Sequence, residues 1–122
     1  MNLREMLWKT YTDSMAKNKE QFANCPEVKY HQEQLETKIN DVDTLKEFAQ
    51  KGQSGTNVYS GRNDECKLIK QALRNITGNQ NEYFWGGYYN DLKLIFHKEK
   101  KFLFNQCNVY ISWKPECLMC DD

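Results

Sequence analysis

Residues 81–96 read NEYFWGGYYNDLKLIF, and the chain changes its period inside them. Upstream, apolar residues recur at three- and four-residue steps. From Leu92 onward Leu92, Leu94 and Phe96 alternate with Lys93, Ile95 and His97. Alternation is the mark of a strand with one buried face, whereas steps of three and four mark a helix. Gly86-Gly87, between two strand-like aromatic runs, predicts a two-residue hairpin, because primed turns need positive φ and glycine supplies it without steric cost. That register pairs Trp85 with Tyr88, Phe84 with Tyr89 and Tyr83 with Asn90, successive pairs facing opposite sides of the ribbon. One face packs on helices; the other turns aromatic rings toward solvent or a partner.

Downstream, HKEKK (97–101) reads as a turn, followed by Phe102 and Phe104; Val109, Ile111 and Trp113 then alternate with Tyr110, Ser112 and Lys114. These are strands at hairpin spacing. Upstream, Leu3, Leu7, Tyr11 and Met15 share one stripe of a helix over 3–23, flanked by Met6, Trp8 and Phe22, with Asn2 and Glu5 as a capping box. Pro26 suits the first position of a second helix, since its missing N–H would have had no helical partner there. Val28, Leu35, Ile39, Val42 and Phe48 give the segment 27–51 one apolar face. Asn40, Asp41 and Asp43, with Thr44 and Glu47 as a further capping pair, make it either one long helix or a kinked pair, antiparallel to the first. GQSGTNVYSGRND (52–64) reads as a loop with at most a short strand at 57–59. Cys66, Ile69, Ala72, Leu73 and Ile76 define a third helix that starts after Asn63 or Asp64 and ends at Gly78. The fold class expected is α+β: about three N-terminal helices (1–78) packed on an antiparallel meander of three to four strands (81–114), with a short cysteine-containing tail (115–122).

A chain of 122 residues is the size of one domain and buries enough surface to need no staple. Seventeen basic and seventeen acidic residues cancel, and only three of the basic ones are arginine. That balance disfavours a dedicated polyanion binder and a nucleic-acid mimic alike. The start, MNLREMLWKTYTDS, has no uninterrupted apolar run, so neither an export signal nor a membrane span is expected. Cys25, Cys66, Cys107, Cys117 and Cys120 are then read as reduced thiols of a cytoplasmic protein, and the odd count disfavours a complete disulfide framework.

Little in the pattern carries chemistry. Cys117-x-x-Cys120 has the spacing of half a zinc site, which Cys107, Cys66 or His97 would have to complete. His31-Gln32-Glu33 with Pro115-Glu116-Cys117 and Cys120 imitates the zinc deaminase pattern, but an extra residue parts proline from cysteine and nothing follows to complete that fold. His97, before a lysine-rich segment, has a suitable pKa for general-base work in a small metal-independent ribonuclease or toxin, yet no partner stands at diagnostic spacing. Ser54, Thr56 and Ser60 lack phosphate-loop order. Lys67, Lys70 and Arg74, with Arg62 just before, form a basic stripe on one helix face.

The reading that absorbs most of these features is a small protein-interaction module of inhibitor or immunity type. Its profile of one compact domain without an evident catalytic set is that of such proteins from mobile genetic elements, an analogy of composition only. Tyr83, Trp85, Tyr88 and Tyr89 would enter a partner protein's pocket, with Glu82, Asp91, Lys93, Arg62, Lys67, Lys70 and Arg74 at the rim. The alternatives are the His97 ribonuclease and a zinc-stapled nucleic-acid-binding module, with a homodimer through the aromatics a further use of the same surface.

Overall fold

A computed structural model describes residues 2–81 and 84–115. The elements run α1 (Leu3–Ala23), α2 (Pro26–Ile39), α3 (Val42–Gln50), β1 (Gly55–Arg62), α4 (Glu65–Thr77), β2 (Gly86–Tyr89), β3 (Leu92–Lys100) and β4 (Asn105–Ser112). The strands form one antiparallel sheet in the order β1-β4-β3-β2, with helices packed on one face. This is the α+β arrangement the period change implies.

The core lies between the sheet and α2 and α4. Val28, Leu35 and Ile39 of α2 and Cys66, Ile69, Ala72 and Leu73 of α4 meet Leu94 of β3 and Cys107, Val109 and Ile111 of β4, all buried. The alternation in β3 and β4 is therefore a real two-faced pattern. Leu94 and Phe96 pair with Ile111 and Val109 on the helix side, while Ile95 and His97 pair with Tyr110 and Asn108 on the other. The 27–51 segment is a kinked pair. Asp41 accepts from the Thr44 backbone N–H (3.3 Å) and hydroxyl (2.7 Å), so the cap is Asp41 and not the expected Thr44–Glu47 box. Gly52 and Gln53 close α3 by donating to the carbonyls of Ala49 and Phe48, a Schellman ending.

Four expectations are corrected. The stretch 52–64 is not a loop around a short strand. It holds the eight-residue β1, which pairs with β4 along its length and bulges at Val58 between Asn57 and Tyr59. Its small polar residues misled because they serve the sheet: Asn57 Nδ2 (3.0 Å) and the Ser60 hydroxyl (2.7 Å) both donate to the Asn108 side-chain oxygen across the strands. HKEKK is not a turn either, since β3 continues to Lys100. The reversal comes at Phe102-Leu103, closed by the Lys101 N–H donating to the Phe104 carbonyl at 2.7 Å.

Third, the hairpin does not turn at Gly86-Gly87. Both glycines lie inside β2, and the turn is Asn90-Asp91, each with φ in the left-handed region (50° and 64°). Asparagine and aspartate tolerate that region better than other non-glycine residues, so they form the primed turn themselves. The resulting register sets Gly87 against Leu94 and Tyr89 against Leu92 on the helix side. The glycines are needed for close approach instead. A Cβ at Gly87 would stand 2.7 Å from Thr77 Cβ of α4, and one at Gly86 (φ 143°) would strike the Leu94 carbonyl.

Fourth, α1 does not lay its stripe along the second helical segment. Among the described residues none of α1 is buried, and its C-terminal end is tied to α4 by Asn75 Nδ2 donating to the Ala23 carbonyl at 2.9 Å.

Gly86→Ala should lower unfolding free energy by about 2–4 kcal/mol in urea titration, because strain at positive φ adds to backbone overlap. Gly52→Ala, also at positive φ but with nothing within 4 Å of the added Cβ, should cost only about 1 kcal/mol. Equal effects would mean that close approach at Gly86 is not what the glycine serves.

Candidate functional site

The turn at Asn90-Asp91 carries the aromatic residues to the β2 margin of the sheet. Tyr88 pairs with Lys93 on the face away from the helices. Trp85 joins them there: its ring centroid lies 6.3 Å from that of Tyr88 in an edge-to-face pair, and Lys93 Nζ sits 5.1 Å from the indole centroid. Strict alternation would put Trp85 with Gly87, on the helix side. The positive φ at Gly86 breaks the alternation and brings Trp85 round to Tyr88. Trp85 and Tyr88 remain 43% and 45% exposed, although their rings already touch each other.

Tyr89 is half-buried against the core and Phe84 is buried within it. The aromatic run thus divides into a core pair and an outward pair. Tyr83 and Glu82 lie outside the described residues. Beside Tyr88, the residues Asp91, Lys93, Ser112, Trp113, Lys114 and Pro115 line a groove of about 260 Å³. Trp113 forms its firm wall, since its indole N–H donates to the Gln53 carbonyl at 2.9 Å and its backbone N–H to the Ser54 carbonyl at 3.0 Å.

The basic residues separate. Arg62 pairs with Gln106 near the far end of β4, six residues or about 20 Å along the strand from Ser112, which faces Lys93. Its guanidinium lies 4.5 Å from the Phe104 ring centroid, away from the aromatic margin. On α4, Arg74 is held in place: its guanidinium sits 5.2 Å from the Phe84 centroid and donates to the Asn81 carbonyl at 3.3 Å. Lys70 is half-buried, and burial, reinforced by the charges of Arg74 and Lys98, holds its ammonium pKa below the usual lysine range. Lys67 is exposed. The helical spacing brings Lys70 and Arg74 together as expected, and Lys98 is the neighbour that spacing along one helix could not show.

The residues considered for chemistry do not converge. His97 pairs with Asn108 on the outer sheet face, whereas Cys107 points to the helix side with Cys66, where both thiols donate to the Gly61 carbonyl (3.5 and 3.9 Å). Among the described residues no titratable side chain stands within hydrogen-bonding reach of His97. No cluster of three metal-ligating side chains forms among them, and Cys117 and Cys120 lie outside them. The other histidine is the buried one. His31 Nδ1 shares a 2.7 Å hydrogen bond with the Tyr59 hydroxyl, and its Nε2 lies 4.0 Å from Glu65 Oε2. That junction ties α2, β1 and α4 together; it escaped the sequence because β1 itself did.

No family description, curated protein or solved structure matches the chain. The fold and the site define an α+β protein with one aromatic sheet margin, and no helix among the described residues is long and apolar enough to cross a membrane.

Two groups set an alkaline limit on the fold. Burial pushes the Tyr59 phenol up to about 12 from 10.0, and burial followed by the neighbouring Cys66 pushes the Cys107 thiol up to about 12 from 9.0. In the unfolded chain these protons leave first. Between about pH 9 and 12 the unfolded state therefore binds fewer protons, and stability falls as pH rises. Urea denaturation should show full stability below about pH 9 and progressive loss above it. Tyr59→Phe should make the slope above about pH 10 distinctly shallower, leaving the Cys107 share in place; an unchanged slope would mean the phenol is not shielded.

Proposed function

We propose that this protein is a small interaction module of inhibitor or immunity type, which acts by seating the Trp85–Tyr88 margin on a partner protein. The observation that carries the reading is the half-exposed edge-to-face pair of Trp85 and Tyr88, gripped by Lys93 and standing at the edge of a groove. Tryptophan and tyrosine bring large contact area with few rotors and a polar tip, so a pair already fixed in place loses little entropy on docking. A partner's apolar side chain fits the groove between Tyr88 and Trp113, with Asp91, Lys93 and Lys114 at its rim.

At the same margin α4 adds Arg74, anchored through Phe84, the residue before Trp85. A partner acidic on that flank gains steering and register from it, because rim charges act on association rate and orientation more than on affinity. Lys70 and Lys67 lie further along the helix, toward the β1 edge. Arg62, at the other end of the sheet, has no place in this contact.

Trp85→Ala with Tyr88→Ala should leave the thermal midpoint within a few degrees of the parent, since neither ring belongs to the core. Partner affinity, measured by calorimetry on the protein captured from the native host, should fall by about 2 kcal/mol or more. A double variant that unfolds, or that binds as well as the parent, would defeat the reading.

A further inference from the structure

Among the described residues, the largest run of exposed apolar side chains is not at the aromatic margin. Along α1, Leu3, Leu7, Trp8, Tyr11 and Met15 are 69%, 61%, 65%, 54% and 42% exposed. Steps of four place Leu3, Leu7, Tyr11 and Met15 on one stripe, and Trp8 flanks it with its ring centroid 5.5 Å from that of Tyr11. The charged Glu5, Lys9 and Asp13 fall on the opposite side of the helix. A helix in a protein draws most of its stability from packing of its apolar face, so an occupant of the stripe would add stability to α1.

We infer that α1 is a self-association element, and that its stripe is covered by α1 of a second copy lying antiparallel to it. Area is the first argument. At these exposures the five side chains present roughly 600 Å² per copy, or about 1,200 Å² for a pair, the lower bound for a stable specific interface. Shape is the second. A two-fold axis level with Lys9 sets Leu7 opposite Tyr11 and Leu3 opposite Met15 in both directions, so each bulky ring meets a smaller side chain. It sets Arg4 opposite Ser14, and no like charges meet in the seam. Attachment is the third. Because α1 is tied to α4 at its C-terminal end, antiparallel pairing leaves the two Ala23 positions about 40 Å apart, with the two attachment points at opposite ends of the seam. A lipid surface is the poorer occupant. The four basic residues of α1 are offset by three acidic ones, without the lysine-rich polar face that draws a helix to anionic headgroups.

Sedimentation equilibrium of the full chain across about 1–100 μM should show a monomer–dimer equilibrium in the micromolar range expected of a small interface. Leu7→Glu should weaken it at least tenfold while leaving the thermal midpoint of the monomer unchanged, because Leu7 is 61% exposed and does not belong to the core. Mixing Leu3→Cys with Met15→Cys should give a covalent heterodimer on mild oxidation, beyond any background from the parent's own cysteines. Four results would overturn the proposal: a monomer throughout the range; a dimer untouched by Leu7→Glu; Leu3→Cys cross-linking mainly to itself, the signature of a parallel pair; or co-sedimentation with anionic phospholipid vesicles in place of self-association. None of these measurements depends on the Trp85–Tyr88 margin.

Discussion

The rest of the structure depends on how closely α4 approaches the sheet. Two positions without side chains permit it. A Cβ on Gly61 of β1 would stand 2.4 Å from Ile69 Cδ1, and one on Gly87 of β2 would stand 2.7 Å from Thr77 Cβ. The N-terminal part of α4 thus rests on one edge strand and its C-terminal end on the other, so the helix crosses the whole sheet. Ile69 and Leu73 then reach Leu94, Val109 and Ile111, and the joint burial of these side chains is the main favourable term in the fold. Close packing makes this seat exacting, because a methylene too many on either strand lifts the helix off the core.

The same seat decides which aromatics are available. With Gly87 beneath Thr77, the flanking residues have fixed destinations: Tyr89 goes inward beside Leu92, and Tyr88 goes outward beside Lys93. The left-handed backbone at Gly86 then turns Trp85 to the outer side, while Phe84 returns to the core beneath Arg74. One run of aromatic residues is therefore used twice, as packing and as surface. The backbone that carries the outward half is the one whose inward half is packed in the core.

The two proposed contacts use different physics. At the β2 margin the rings are few but pre-ordered, and charged residues surround them, which suits selective recognition of one partner. Along α1 the apolar area is larger, shallower and less charged, which suits pairing of like with like. Only the first was visible as a candidate before the fold was known. Leu3, Leu7, Tyr11 and Met15 read as an ordinary core-facing stripe, since periodicity reports that a helix has an apolar face and says nothing of what covers it.

Local pattern was enough for features whose cause is local. The helix at Leu3–Ala23, the proline start at Pro26, the buried face of Glu65–Thr77, its end at Gly78 and the change to alternation at Leu92 all follow from spacing, capping and backbone preference within a few residues. What failed locally depends on contacts distant in sequence. Gly55–Arg62 is a strand only because β4, some fifty residues later, offers it a ladder and an Asn108 side chain to bond. Gly86-Gly87 resembles a turn until its neighbours are in place; then Gly87 is needed beneath α4 and Gly86 against the Leu94 carbonyl of β3, and Asn90-Asp91 makes the bend. The outward placement of Trp85 and Tyr88 belongs to this second kind, because which side of a strand faces water is set by register, and register is fixed by whatever the other face must bury.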